Sequence, residues 1–332
     1  MQGKEDDKTK VGLIDVDGHN FPNLALMRIS AYHKAQGDDV EWWQSDLIHY
    51  DLVYMSKIFS DIYSPDIPEP FNADKVIKGG TGYCISLGPD GKEVFDQSKN
   101  TPLPAEMEKM FPDYSIYPQF NFAVSMTSRG CPRGCSFCHV AAKEGRCSQK
   151  VADVKDFWNG QPEIKVLDPN ITACREKRDL LRQYRETGAW IDFTQGIDIR
   201  LTNEQDIDDF NRMKIKRVHF AWDNPKDKLE DKFRQFSEQF RIKDHRRKTV
   251  YCLTNFNSTM EENLYRIYTL RSLGFDPFVM VYNKPSAPPE IRNLQRWCNN
   301  RLIFQSCPRF EDYKPYERGN SKQIIDQVSL FA

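Results

Sequence analysis

Three cysteines crowd one short run, "MTSRGCPRGCSFCHVA", in which Cys131, Cys135 and Cys138 stand at the spacing Cys-x3-Cys-x2-Cys. Thiols this close can form a disulfide, hold a structural metal, or surround one face of an iron–sulfur cube. In a cube each sulfur takes one iron, and three protein ligands leave the fourth iron open for chemistry. Gly134 and the turn at Pro132 let the backbone wrap close, with amide N–H groups free to reach the sulfurs. Zinc normally wants four ligands in two separated pairs. Its fourth ligand here would have to be Cys147, because His139 adjoins a ligand and cannot easily turn inward, and the chain has no second Cys-x2-Cys. The disulfide is the weakest option. Nine cysteines is an odd number, and six of them (Cys84, Cys147, Cys174, Cys252, Cys298 and Cys307) are scattered without framework spacing. The start, "MQGKEDDKTK", lacks the apolar stretch of an export signal, so reduced thiols in a cytoplasm are expected.

These groups need a frame. From Asn121 the rhythm is strand then helix, six times: "NFAVSMT", "IKVLDPN", "WIDFTQGIDIRL", "RVHFAWDN", "TVYCLTNFN" and "DPFVMVYN" are separated by polar, helix-period stretches. That alternation predicts a (β/α)6 partial TIM barrel over 121–285, with the cysteine loop after its first strand, at the end where such barrels carry their active sites. The other strands should then end in polar residues, and they do. Asp168 and Asn170 follow the second. Gln195, Asp198 and Arg200 follow the third, Asp223 and Asn224 the fourth, Thr254, Asn255 and Asn257 the fifth, and Tyr282 and Asn283 the sixth. Asp and Asn are ordinary turn residues singly; their recurrence after five strands is the signal.

Residues 1–84 read as a truncated Rossmann-like α/β domain. "VGLIDVDG" is a strand, "PNLALMRISAYHKAQG" a helix between Pro22 and Gly37, and "DVEWW", "DLVYMSKIF" and "DKVIKGG" are three more strands. The segment Ser64 to Asp74 is too proline-rich for a helix. Residues 85–120 connect the two domains, and 286–332 form a C-terminal extension. No window approaches the roughly 18 apolar residues of a membrane span. With 47 basic against 48 acidic residues, no global field advertises a nucleic-acid or membrane partner.

The cysteine loop resembles the signature of the radical S-adenosylmethionine (radical SAM) superfamily, CxxxCxxC with an aromatic, Phe137, before the third cysteine. Its context, "TSRGCPRGCSFC", is similar to the branch whose barrel follows a cobalamin-binding-like domain, and to the related methylthiotransferases. The resemblance covers the barrel, about half the chain, and more loosely the N-terminal segment. It implies a [4Fe-4S] cluster on Cys131, Cys135 and Cys138, and S-adenosyl-L-methionine on the open iron. One electron, from a reductant such as flavodoxin or ferredoxin, would cleave SAM to methionine and a 5′-deoxyadenosyl radical that abstracts a substrate hydrogen. Phe137 would lie against the adenine and Asp223 near the ribose. The Gly-Gly-Glu-like segment that holds the SAM amine in this family is missing, which leaves Asp168 as the candidate for that contact. Asn170, Gln195, Arg200 and Asn255 complete the expected cofactor-binding set.

The same resemblance places Asp17 and His19 where cobalamin domains carry D-x-H-x-x-G, as a substrate or cobalamin contact with Asp17 setting the imidazole's basicity. Pro22 in the glycine's place and the shortened middle of the domain disfavour a bound corrinoid. Methylthiolation is disfavoured too, since only Cys84 precedes the motif. The expected activity is a radical SAM reaction of the lyase, transferase or oxidoreductase type, on a nucleobase, nucleoside or other small molecule. The alternatives are a cobalamin-dependent radical methyltransferase, a member without turnover, and a non-catalytic zinc module binding nucleic acid through the basic run Arg241 to Lys248. That run is read first as a solvated helix end.

Overall fold

The computed structural model describes residues 8–89 and 91–315. The polar start and the end of the C-terminal extension lie outside the described residues. The first layer is a parallel sheet of β1 (Lys10–Asp15), β2 (Asp39–Trp42), β3 (Tyr50–Ser56) and β4 (Ala73–Gly79), in the order β2-β1-β3-β4. Helix α1 (Leu24–Gln36) returns from β1 to β2. Asn23 caps it by accepting the Leu26 N–H, and Gly37 ends it in the left-handed conformation. The proline-rich stretch between β3 and β4 carries no helix.

The second sheet contains β5 (Ala123–Ser125), β6 (Glu163–Val166), β7 (Trp190–Phe193), β8 (Lys214–Ala221), β9 (Lys248–Thr254) and β10 (Asp276–Val281), parallel and in chain order. Helices α2 (Lys177–Thr187), α3 (Glu204–Asn211), α4 (Glu230–Gln239), α5 (Met260–Ser272) and α6 (Pro289–Asn299) follow the last five strands. Among the described residues β5 and β10 share no ladder, so the sheet stays open, as a partial barrel does. Strand alternation drives the packing. Ile164, Val166, Ile191, Phe193, Val218, Phe220 and Val250 face the helices and share a core with Leu180, Tyr184, Phe210, Phe233 and Phe236.

Three expectations are corrected. The first β/α unit lacks a full helix: its crossover is spent on the cysteine loop, leaving only a five-residue helix, Val140–Glu144. The third strand stops at Phe193, well short of "GIDIRL". Gly196 turns there with φ +86°, so near its neighbour that a Cβ would sit 1.9 Å from the Asp168 carbonyl oxygen. The basic run is not a helix end, because α4 finishes at Gln239. Asp244 instead caps a 3-10 turn at His245–Arg247 and pairs with Arg246, while Arg247 donates to the Ile215 and Lys216 carbonyls. Those cations are largely spent on the protein itself.

Lys248, at the end of the same run, is buried. Its ammonium meets Ser237 Oγ at 3.3 Å and the Phe275 ring, with no carboxylate partner among the described residues. Burial pushes its pKa down to about 8. A base with a depressed folded pKa binds fewer protons folded than unfolded between pH 8 and its ordinary value, so stability rises with pH across that window. Lys248→Met is expected to stabilise the fold by about 1–3 kcal/mol at pH 7. Urea melts at pH 7 and 10 check this: the gain should shrink at the higher pH.

The C-terminal segment closes the open side of β10, with Leu294, Trp297 and Phe304 packed on Ile267 and Val279. Cys298 is buried there, its thiol donating to the Pro277 carbonyl at 3.3 Å. The two sheets are joined by Met27, Tyr117 and Val124, and by Glu108, which accepts from both Arg28 and Arg129. Among the described residues no helix is long and apolar enough to cross a membrane.

Candidate functional site

The cysteine loop leaves β5 through Thr127 and Ser128, both buried. Both residues donate backbone N–H and hydroxyl to Asp168, at 2.5–2.9 Å. The carboxyl is fully buried. Burial raises its pKa, and these four donors pull the other way. Asp168 therefore ties β6 to the root of the cysteine loop and presents no oxygen to a cofactor. The expected amine contact is replaced by a structural staple. Gly130 (φ +87°) cinches the loop: a Cβ there would lie 2.1 Å from the Cys147 carbonyl oxygen. Cys131 N–H donates to the Gly145 carbonyl at 3.1 Å, and Cys138 N–H to that of Cys135 at 3.0 Å.

All three thiols are free, and Cys131 and Cys138 lie near enough to Cys135 to act on it electrostatically. Burial pushes Cys135 and Cys138 up, and their sulfur neighbours and Asp223 add to this; Arg200 opposes it at Cys135. A crowded thiol set of this kind gives up its protons when a cationic metal centre replaces them. Asn170 lies beside the loop: its carboxamide oxygen caps the turn Ile171–Ala173, which aims its NH2 at Cys131 Sγ, 3.5 Å away. Such N–H···S contacts withdraw charge from a cluster thiolate.

The other strand ends converge on this loop. Arg200 is held by Asp198 (2.7 Å) and Asp227 (2.7 Å), and Arg133 of the cysteine loop pairs with the other Asp198 oxygen at 2.5 Å. Asp223 is raised to about 6 by burial, with Arg266 and Arg200 opposing. Phe137 meets Phe256 edge-on at 5.4 Å, and Phe256 meets Tyr282 at 4.9 Å. Asn255 adopts φ +59° and donates to the Tyr282 carbonyl at 2.8 Å; Asn283, beside it on the next strand end, has φ +44°. Two left-handed asparagines on adjacent strand ends are strain of the kind found at binding sites. Gln195 is exposed and donates to the Leu167 carbonyl, on the rim.

The N-terminal domain reaches the same loop. Ser60 donates to Glu93, whose other oxygen lies 3.5 Å from His139 Nε2, next to Cys138, and Lys143 donates to Thr81 Oγ1 at 2.7 Å. Asp17 and His19 follow β1 on this domain, but they do not act as a pair. Asp17 accepts the N–H groups of Ile58 and Phe59, while the exposed His19 ring packs on Trp42 at 4.2 Å. The expectation that Asp17 sets the imidazole's basicity is corrected accordingly. The loops after β3 and β4 are closed on each other, since a Cβ on Gly80 would be 2.2 Å from the Lys57 carbonyl oxygen. His19 is exposed, and its expected carboxylate is occupied elsewhere.

Sequence reasoning missed Arg133, Phe256 and Arg266. Arg133 and Phe256 sit inside quoted loops, one beside the cysteines and one in "LTNFN", and an aromatic among asparagines was the readable signal. Arg266 lies in a helix whose spacing resembles a solvated face, and nothing local marks it.

No protein-family model and no curated protein matches the sequence. Among solved structures, the fold is similar to a radical S-adenosylmethionine methyltransferase, TsrM, from Kitasatospora setae, solved with cobalamin and a [4Fe-4S] cluster bound. The TM-score is 0.58 at 11% identity, over 82% of this chain and 75% of that one. A cobalamin-dependent S-adenosylmethionine radical enzyme, OxsB, aligns over 83% of this chain and 49% of its own at 12% identity, with a TM-score of 0.41; this chain spans about half its length. The likeness to the first of these is one of fold.

Proposed function

We propose that this chain is a radical SAM enzyme with its [4Fe-4S] cluster on Cys131, Cys135 and Cys138 and SAM beside it. The observation that carries this reading is the convergence of a three-thiol loop, the buried Asp223 carboxyl, the braced Arg200 and the Phe137–Phe256–Tyr282 group at one end of an open six-stranded parallel sheet. When bound, the reduced cluster supplies the electron that cleaves SAM to methionine and a 5′-deoxyadenosyl radical, which takes a substrate hydrogen. The chain's own groups bind and orient. Asn170 steadies Cys131, and Asp168 fixes the loop root. The three rings offer an apolar berth for adenine, and Arg200, braced by two carboxylates, presents a fixed cation toward a SAM carboxylate. Asp223 accepts from ribose hydroxyls. The substrate is a nucleobase, nucleoside or comparable small molecule, with flavodoxin or ferredoxin as reductant.

The test is anaerobic reconstitution with iron and sulfide, then SAM and dithionite, with 5′-deoxyadenosine read by chromatography. About four iron atoms per chain and product formation are expected. Uptake of a single zinc and no iron would overturn the reading.

A second reading, radical methyl transfer with cobalamin, is favoured by the similarity to a cobalamin-bound methyltransferase over both domains. His19, exposed and with its ring nitrogens unbonded among the described residues, is the residue that would hold the corrinoid. It predicts that protein incubated with cobalamin keeps a corrinoid absorbance after desalting and that His19→Ala loses it. Absence of that absorbance removes the second reading and leaves the first standing.

A further inference from the structure

The concave face of the six-stranded sheet carries a row of side chains that the cluster site does not use. Alternation turns Ile164, Ile191, Val218 and Val250 to the helices, so the intervening residues face the other way. From strand to strand the row runs Phe122, Lys165, Asp192, His219, Tyr251 and Phe278, each in contact with the next. Lys165 Nζ lies 4.9 Å over the Phe122 ring and 3.3 Å from Asp192 Oδ2. Asp192 Oδ1 is 3.8 Å from His219 Nδ1. The His219 and Tyr251 rings stack at 5.5 Å and 14°, and Phe278 meets Tyr251 edge-on at 5.9 Å.

Two acceptors in the middle of this row are unused. Asp192 is 3% exposed, yet its Oδ1 accepts no hydrogen bond among the described residues. His219 gives its Nδ1 proton to the Phe193 carbonyl at 2.7 Å, which leaves Nε2 as a bare lone pair with no partner among the described residues. A buried carboxylate oxygen without a donor is costly, and sites that tolerate the cost normally have a ligand to satisfy it. The nearest charges are paired, Lys165 being shared between Asp192 and Glu163 (3.1 Å) and Lys216 also pairing with Glu163, while Arg217, the register partner of Asp192, adds a positive charge felt at His219 and Tyr251. Phe278 and Met280 at the β10 end remain 38% and 44% exposed, an apolar wall beside the polar centre.

We propose that this row is the substrate site: Asp192 Oδ1 and His219 Nε2 receive the N–H donors of a neutral, planar heterocycle of the nucleobase class, whose faces lie on the aromatic side chains. The inference rests on the radical SAM reading, which places the reacting carbon above this face, but its test does not. Each of the four ribonucleosides is offered at millimolar concentration to the full-length chain, whatever its iron content, and binding is read by equilibrium dialysis. At least one is expected to bind. Asp192→Asn turns an amide donor into the site while Lys165 keeps the carbonyl oxygen, and should weaken binding by about tenfold or more. His219→Phe, which keeps the stack, should do likewise. Phe256→Ser, at the ring group near the cysteines, should leave the row's ligand unaffected and so separates it from adenosine in the cofactor berth. Binding of none of the four, or binding indifferent to Asp192 and His219, overturns the proposal. Iron loading of Asp192→Asn equal to wild type shows that the cluster reading stands or falls separately.

Discussion

Cys135→Ala is expected to lose the cluster and at least about 99% of 5′-deoxyadenosine formation, while the fold survives. Residues that merely orient a metal ligand are worth about 10–100-fold, so a ligand itself should exceed that range. The side chain is only half-buried and belongs to none of the hydrophobic clusters, so its truncation should change stability by less than about 0.5 kcal/mol. Iron per chain, product yield and a urea melt read the three quantities from one preparation. Cys147→Ala is the informative partner. Its thiol is exposed, and under the zinc alternative it is the fourth ligand. Undiminished iron and product in Cys147→Ala shows that the centre needs no fourth thiol; zinc bound by the wild type without iron, and lost from both variants, would support the alternative.

Arg266→Leu is expected to cost about 3–5 kcal/mol and lower the melting temperature by roughly 10 °C. Arg266 is fully buried in α5 and forms no ion pair among the described residues. Its guanidinium donates to the carbonyls of Trp222 (2.5 Å), Asp223 (3.0 Å) and Leu253 (2.9 Å), and to Asn263 Oδ1 at 2.6 Å. One fork therefore binds the ends of β8 and β9, and leucine leaves two buried carbonyls and one part-buried carbonyl without this donor, each buried one worth about 1–3 kcal/mol. The same change removes the main cation opposing burial at Asp223, so that carboxyl should titrate higher than about 6. A melting temperature within 2 °C of wild type would show that the fork contributes little and that water replaces it.

Much of the frame was legible in the sequence. Strand alternation and helix periodicity are short-range patterns, so β8, β9, β10 and α5 fall where their apolar residues recur, and Asn23 and Gly37 mark the ends of α1. The third strand and the first helix were misjudged for one shared reason. Backbone that passes close to another segment, as Gly196 does to Asp168, or that is diverted to build a loop, obeys contacts outside any local window.

By itself the sequence determined which residues can bind metal and how far apart they stand along the chain, because three cysteines on one short loop cannot escape one another. It also determined that polar residues recur after the strands, because that follows from where each apolar run stops. Only the tertiary structure decided what those residues do. Asp168 and Asn170 are two positions apart, yet one is consumed by donors from Thr127 and Ser128 while the other points its amide at Cys131. Lys165, Asp192, His219 and Tyr251 became a row only when parallel pairing laid their strands side by side, His219 and Tyr251 each standing two residues past the register partner of the residue before it. Hydrogen-bond partners and facing side chains depend on chain segments tens of residues away, and it is folding, through the burial of the helix-facing side of the sheet, that brings them together.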